Sequence, residues 1–300
     1  MIDKIAEWLD WLRIDAAATT VESYGWELRH MERWSMPREV LTLSKSDLAR
    51  YLAERRLSGC SDATIRRSVN ALRAFYKFSL GKRSPAGTIP APSVKKRRQR
   101  TLTADQAFGL MVSIDTSTAL GWRNLALVCL CLSTGLRESE LCHLRINELD
   151  LQSGRLTTRI KGGADGDGVF GSDTAATLAT WLGVRSAIAR PGVETVFVSI
   201  GGTKHGHPLT PSGLRVIFRR MGQKAGLKNS AGEPQRLSPH DLRRTCATLA
   251  SRFGAPSRIV QIALRWNDPK MLELYTQGLT SADFAPYDPV SRMLRSNPEA

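Results

Sequence analysis

The chain has 300 residues, 42% hydrophobic and 24% charged, which at ~100–200 residues per domain favours two domains and excludes a fibrous or disordered protein. Its 43 Lys and Arg outnumber 28 Asp and Glu for a net charge of +15, a footprint of polyanion binding that makes nucleic acid the first expected partner. No apolar stretch approaches the ~20 residues of a bilayer span, Asp3 and Glu7 do not suit a signal or transit peptide, and the odd count of five cysteines reads as reduced thiols, so a soluble cytoplasmic protein is expected, with no membrane partner.

Residues 1–80 carry apolar side chains at helical spacing, Ile5, Trp8, Leu9 and Leu12 and then Val21, Tyr24, Leu28, Met31 and Trp34. Helix starts are marked by Thr19 or Thr20, by Ser44 with Asp47 three residues on, and by Ser61 or Asp62, which predicts four helices. The last, over about residues 63–80, sets Ile65, Val69, Leu72, Phe75, Tyr76 and Phe78 on its apolar side and Arg66, Arg67, Arg73 and Lys77 elsewhere. Such a basic face is either solvated or a contact to DNA.

Gly81, Pro85, Gly87, Pro90 and Pro92 then break the helical pattern, and Lys95, Lys96, Arg97, Arg98 and Arg100 crowd positive charge into a linker. A Thr-capped helix follows Thr101, then a buried helix around 125–132, a turn at Ser133, Thr134 and Gly135, and a helix over 136–144. Leu149, Leu151, Leu156, Thr158 and Ile160 alternate around Gly154 before a Gly-rich tip at 162–168, which predicts a small antiparallel β element. Helices are expected over 175–189, 211–225, 241–253, 257–263 and 270–277, with a short strand at 195–200.

No metal site is expected. His205 and His207 have no Cys, Asp or Glu partner at ligand spacing, the side chains of Cys129 and Cys131 point about 200° apart on a helix, and Asp165 and Asp167 lack the Glu that would complete a calcium loop. The informative run is Ser238-Pro-His240-Asp-Leu-Arg243-Arg244-Thr245, followed by Leu264-Arg265-Trp266 and Tyr275-Thr276. His240 and Arg243 stand three apart at a helix start, which sets a proton-shuttling group beside a planar cation suited to a phosphate oxygen.

Five elements in one order resemble the tyrosine recombinase family, the phage integrase and Xer/Cre group. Thr134-Gly-Leu-Arg137-Glu-Ser-Glu140-Leu141 is similar to the family's T-G-L-R-x-x-E-L turn-helix, Lys161 in Arg159-Ile-Lys161-Gly-Gly to its β-hairpin lysine, His240-Asp-Leu-Arg243 to its H-x-x-R helix start, and Trp266 and Tyr275 to its His or Trp followed nine residues later by Tyr. The early helices resemble the family's core-binding domain through Thr20-Val-Glu-Ser-Tyr24 and the run from Thr64 to Phe75. Two departures stand out: Trp266 replaces the commoner His, and the hairpin after Lys161 lacks the second basic residue of many relatives.

The resemblance implies a mainly α protein with a small antiparallel sheet: a helical, SAM-like core-binding domain at 1–84, a basic linker at 85–100 and an α+β catalytic domain at 101–300. It implies a site-specific DNA recombinase, of integration, excision or resolution type, working through a 3′-phosphotyrosine without cofactor or metal. Arg137 and Arg243 would clamp the non-bridging oxygens with the Trp266 N–H as a further donor. Tyr275 would be the nucleophile, His240 its base and Lys161 the acid for the departing 5′-oxygen, while Glu140 supports the arginine helix. Arg66, Arg67, Arg73, Lys95, Lys96, Arg97, Arg98 and Arg100 are the expected DNA contacts, in a two-lobed clamp on duplex DNA with inverted-repeat core sites. Four protomers are expected in the synaptic complex, with an accessory DNA-binding or recombinase partner allowed and a nucleoid-associated location. Phe284, Tyr287, Val290 and Met293 either dock on a neighbouring protomer or belong to a frayed tail, and no separate arm-binding domain is expected before the first helix. The alternatives are a type IB topoisomerase and a catalytically inactive DNA-binding relative.

Overall fold

The computed structural model describes residues 3–94, 100–159, 165–228, 232–265 and 288–296, and the chain divides into two compact units, Met1–Arg97 and Arg98–Ala300. The first contains helices α1 (Lys4–Leu12), α2 (Ala18–Ser35), α3 (Lys45–Leu57) and α4 (Asp62–Leu80). Ser44 accepts the Asp47 N–H at 3.2 Å while Asp47 accepts the Ser44 N–H at 2.9 Å, and Ser61 accepts the Thr64 N–H at 3.3 Å, satisfying donors that a first helical turn leaves free. Helix α2 departs from expectation: it begins at Ala18 behind an Ala17 that offers no side-chain bond, which leaves Thr19 and Thr20 inside the first turn.

Trp8, Leu28, Met31, Leu48, Phe75 and Tyr76 are among the buried side chains that join these helices, with Trp8 stacked on Tyr24 at 6.1 Å and edge-on to Phe75 at 5.6 Å. Inside this apolar core lies an ion pair, Glu27 with Arg55, both almost fully buried. Tyr51 donates to Glu27 at 2.8 Å and Arg55 to the Ser68 hydroxyl at 2.9 Å, so one polar network ties α2, α3 and α4.

The second unit is built around α6 (Ala119–Thr134), in which every residue from Ala126 to Thr134 is buried. A helix apolar on all sides belongs at the centre of a domain, and α8 (Ser172–Ser186) and α10 (Pro239–Arg252) pack against it. Helices α5 (Ala104–Val112), α7 (Glu138–His143), α9 (Pro211–Lys224) and α11 (Ser257–Ala263) also belong to this unit. A sheet of order β1-β2-β3 joins β1 (Leu149–Asp150), β2 (Arg155–Arg159) and β3 (Asp165–Val169), all antiparallel, with Leu156 opposite Gly168 and Thr157 opposite Asp167.

Two elements differ from the sequence expectation. Gly166 and Gly168, read as part of a loop tip, lie in β3; a Cβ at Gly168 would come within 2.9 Å of Leu156 Cδ1, so the missing side chain makes room for a core leucine. The strand expected at 195–200 consists of isolated bridges, Arg145 with Thr195 and Val198 with Pro208. Val196, Phe197 and Val198 are buried, so their apolar character serves packing, and Pro208 has no N–H with which to extend a ladder. The helix expected at 270–277 lies outside the described residues.

The last described element, α12 (Pro289–Ser296), packs on its own unit, with Val290 and Met293 buried against α6 and α8. Asp288 fixes its start by accepting from the Ser291 N–H at 3.2 Å and hydroxyl at 2.9 Å. Gly171 permits that approach, since a Cβ there would meet Ser291 Oγ at 2.2 Å. All five cysteines are free thiols. No helix among the described residues is long and apolar enough to cross a membrane.

Candidate active site

The site starts where α6 ends. Gly135 terminates the helix in the left-handed region, at φ 58°, and a Cβ there would stand 2.1 Å from Leu264 Cδ2, so glycine is required both by conformation and by space. Arg137 follows as the N-cap residue of α7. Its N–H donates to Glu140 Oε2 at 2.8 Å and its Nη1 to Glu140 Oε1 at 2.8 Å. The Glu140 side chain is 3% exposed and that of Arg137 is 33% exposed; the carboxylate is sealed in while the guanidinium keeps a face toward solvent.

Helix α10 brings the second cation. Ser238 and Asp241 form a reciprocal cap, with the Ser238 N–H and hydroxyl both donating to Asp241 Oδ2 at 2.9 and 2.7 Å, and Pro239 occupies the first turn, where its missing N–H costs nothing. That rigid start leaves His240 exposed and Arg243 buried. Arg243 donates through Nη1 to the Gly135 carbonyl and through Nη2 to the Leu264 carbonyl. Arg137 donates through Nη2 to the next carbonyl, that of Arg265, at 3.0 Å. Two arginines from separate helices are thereby held by consecutive carbonyls just beyond α11, where a helix end leaves acceptors unpaired and its dipole favours cations.

Arg265 carries no role in the sequence reading. Its side chain, 8% exposed, donates to Glu140 Oε2 at 2.9 Å and to the Asp167 carbonyl of β3 at 2.8 Å. Its only sequence signal is its place directly before Trp266. Among the described residues Arg137 and Arg265 pair with Glu140 while Arg243 donates to carbonyls alone, so these groups set three guanidiniums against one bonded carboxylate. Burial, followed by the like charges of Arg137 and Arg265, pushes the Arg243 guanidinium down to about 10. Burial by itself would raise the Glu140 carboxyl; the Arg265 charge and then the Arg137 bonds outweigh it and hold Glu140 below its ordinary value. A buried site with surplus positive charge and an open guanidinium face is a receptor for an anion.

The structure thus brings Arg137 and Arg243 together and sets His240 on the first turn of the helix that carries Arg243. Lys161, Trp266 and Tyr275 lie outside the described residues, as do Lys95, Lys96, Arg97 and Arg98. Arg66, Arg67 and Arg100 are exposed. Arg73 is half-buried and donates to the Ile89 carbonyl at 2.6 Å, holding the chain after α4.

The phage integrase family matches residues 100–281, and its N-terminal SAM-like domain matches residues 5–82. The tyrosine recombinase XerD of Listeria innocua is 29% identical over 287 residues, covering 92% of this chain and 94% of its own. The tyrosine recombinase XerC of Bacillus pumilus is 33% identical over 239 residues, covering 78% and 76%. In fold, the chain is similar to the Tn1549 transposon integrase in complex with transposon right-end DNA, at TM-score 0.71 and 17% identity over 98% of this chain and 99% of that one. It is likewise similar to a lambda integrase dimer bound to a COC′ core site, at TM-score 0.70 and 19% identity over 91% and 94%. With the family match spanning more than half of its residues and the turn-helix arginine set in its site, this chain belongs to the phage integrase family of tyrosine recombinases.

Proposed function

We propose that the protein is a site-specific recombinase that cleaves and rejoins duplex DNA through a 3′-phosphotyrosine, and that Arg137 and Arg243 grip the scissile phosphate. The observation that carries the reading is the pair of arginines anchored to adjacent carbonyls, in a site where, among the described residues, three guanidiniums are set with one bonded carboxylate. A phosphodiester supplies the missing anion, and its charge concentrates on the non-bridging oxygens as the phosphorus becomes five-coordinate. Preorganised guanidiniums meet that charge at no further cost in reorganisation.

In this reading Tyr275 Oη attacks phosphorus, its proton passing to His240, while the bond to the 5′-oxygen breaks and that oxygen takes a proton from Lys161. The Trp266 indole N–H donates to a non-bridging oxygen; it cannot exchange a proton, which leaves proton transfer to His240 and Lys161. The phosphotyrosine conserves the energy of the broken linkage, so a 5′-hydroxyl from another strand reverses the step and reseals the DNA. Residues 1–84 act as the core-binding domain, with Arg66 and Arg67 facing DNA, and residues 85–100 as a basic linker whose Lys95, Lys96, Arg97, Arg98 and Arg100 follow the phosphate backbone. Four protomers on two inverted-repeat sites form the synaptic complex.

The deciding experiment traps the intermediate on a nicked suicide substrate, from which the strand with the free 5′-hydroxyl dissociates. The wild type accumulates a covalent protein–DNA adduct, while Tyr275→Phe, which removes only the hydroxyl, binds DNA and forms none. Undiminished adduct in Tyr275→Phe rejects the nucleophile. Absence of adduct in the wild type, with DNA binding intact, favours an inactive DNA-binding relative.

A further inference from the structure

We propose that Arg265 is a positioning residue that sets the charge and orientation of Arg137, acting through Glu140 and through its own carbonyl; the proposal rests on reading Arg137 as a transition-state clamp. Among the described residues Arg265 is the only non-glycine with a positive φ, 51°. An L side chain enters that region at a steric cost, and surrounding contacts must hold it there. Here those contacts lead to the site: Nη2 to Glu140 Oε2, Nη1 to the Asp167 carbonyl on β3.

The left-handed turn has a consequence for the main chain. It follows α11 at the point where the Leu264 carbonyl receives Arg243 and the Arg265 carbonyl receives Arg137. Its consequence for charge is larger. Glu140 is the one carboxylate paired with Arg137 among the described residues, and both of its oxygens are in use: Oε1 by the Arg137 guanidinium, Oε2 by the Arg137 N–H and by Arg265. Without Arg265 the carboxylate has a single guanidinium partner, and the favoured two-pronged pairing would neutralise Arg137 and draw its donors inward. Competition from Arg265 for Oε2 therefore leaves Arg137 with charge and donors directed at substrate. At 8% side-chain exposure Arg265 is enclosed, so it acts through Arg137 and not on the phosphate.

The test is single-turnover cleavage of two suicide substrates, ordinary DNA and DNA with a methylphosphonate at the scissile position. The methyl group removes the charge that the clamp exists to meet. Arg265→Gly deletes the side chain and relaxes the backbone, because glycine takes positive φ freely; Arg265→Gln keeps a neutral side chain in the space. Both variants should have a lower Tm, since each breaks an enclosed ion pair, yet stay folded at the assay temperature with the wild-type DNA Kd and cleave ordinary DNA about tenfold or more slowly, as for other residues that orient a primary ligand. On methylphosphonate DNA the defect should shrink to within about threefold, and in an Arg137→Ala background Arg265→Gly should add no more than about threefold, since the two act as one unit. Wild-type cleavage by both variants, equal defects on the two substrates, or multiplicative losses with Arg137→Ala would each overturn the proposal. If Arg137→Ala cleaves ordinary DNA at the wild-type rate, the clamp reading fails and takes this proposal with it; if that variant is impaired and Arg265→Gly is not, only the role of Arg265 falls.

Discussion

Arg137 and Arg243 are bound differently, and this difference sets what each can tolerate. Arg243 is buried and gives both Nη groups to carbonyls; Arg137 keeps an exposed face and is steered by one carboxylate. A lysine presents its donors from one point and does not reproduce either fork. Arg137→Lys and Arg243→Lys should each lower the single-turnover cleavage rate by the equivalent of ~2.7–4 kcal/mol, the usual cost of losing one transition-state donor. Arg243→Lys should in addition lower the Tm, because it strands the Gly135 or Leu264 carbonyl in the interior. Cleavage near the wild-type rate by both variants contradicts the clamp. Glu140 adds a pH dependence. Its folded pKa lies below the ordinary carboxylate value because Arg265 and Arg137 outweigh burial, so its stabilisation is complete above the unfolded pKa, about 4.3, and is lost as pH falls through the folded value. The Tm gap between wild type and Glu140→Gln should therefore hold from pH 7 down to about pH 5 and narrow only below the unfolded pKa of about 4.3, and a gap that stays constant below that pH contradicts this assignment.

At the scale of elements, what was legible in the sequence was local. Ser44 with Asp47 satisfies donors within one helical turn, so its spacing alone announces the helix start, whereas the sequence expectation passes over the same pattern at Ser238 and Asp241 and begins that helix at 241 instead of Pro239. The Thr-Gly-Leu-Arg turn is equally local, since Gly135 answers to its own φ. What was not legible depends on distant partners. The apolar run Val196-Phe197-Val198 within 195–200 records burial and says nothing of whether a neighbouring backbone can pair with it, which Pro208 limits. Arg265 reads in the sequence as one more basic residue, and only the fold brings it to Glu140 and β3. The Glu27–Arg55 pair is hidden for the same reason, its members coming from two helices and its further partners, Tyr51 and Ser68, lying on α3 and α4. Glu27→Ala would leave the Arg55 charge buried without its carboxylate, a change that typically costs ~3–5 kcal/mol. The first unit should then unfold well before the second in calorimetry, whereas a single unshifted transition contradicts the role given to this pair.

For the whole molecule, the excess of 43 basic over 28 acidic residues acts in two separable ways, as site chemistry and as sequence-independent affinity. Charges that meet phosphates release counterions, so each neutralised phosphate adds ~0.9 to the slope of log K against log salt on duplex DNA, and does so alike for every sequence. Charges that meet base edges change affinity for some sequences and not others. The basic run at 95–100 and the exposed pair on α4 can be told apart on this ground. Replacing Lys95, Lys96, Arg97, Arg98 and Arg100 by Gln should weaken binding to specific and random DNA by the same factor and flatten the salt slope by ~0.9 for each phosphate the linker no longer neutralises. Arg66→Gln with Arg67→Gln should weaken binding to the specific site more than to random DNA if α4 reads the major groove. Titrating each protein from low to high salt against both DNAs measures both quantities at once. An unchanged slope in the linker variant would return that run to the solvated surface, and equal losses on both DNAs in the α4 variant would reduce Arg66 and Arg67 to backbone contacts.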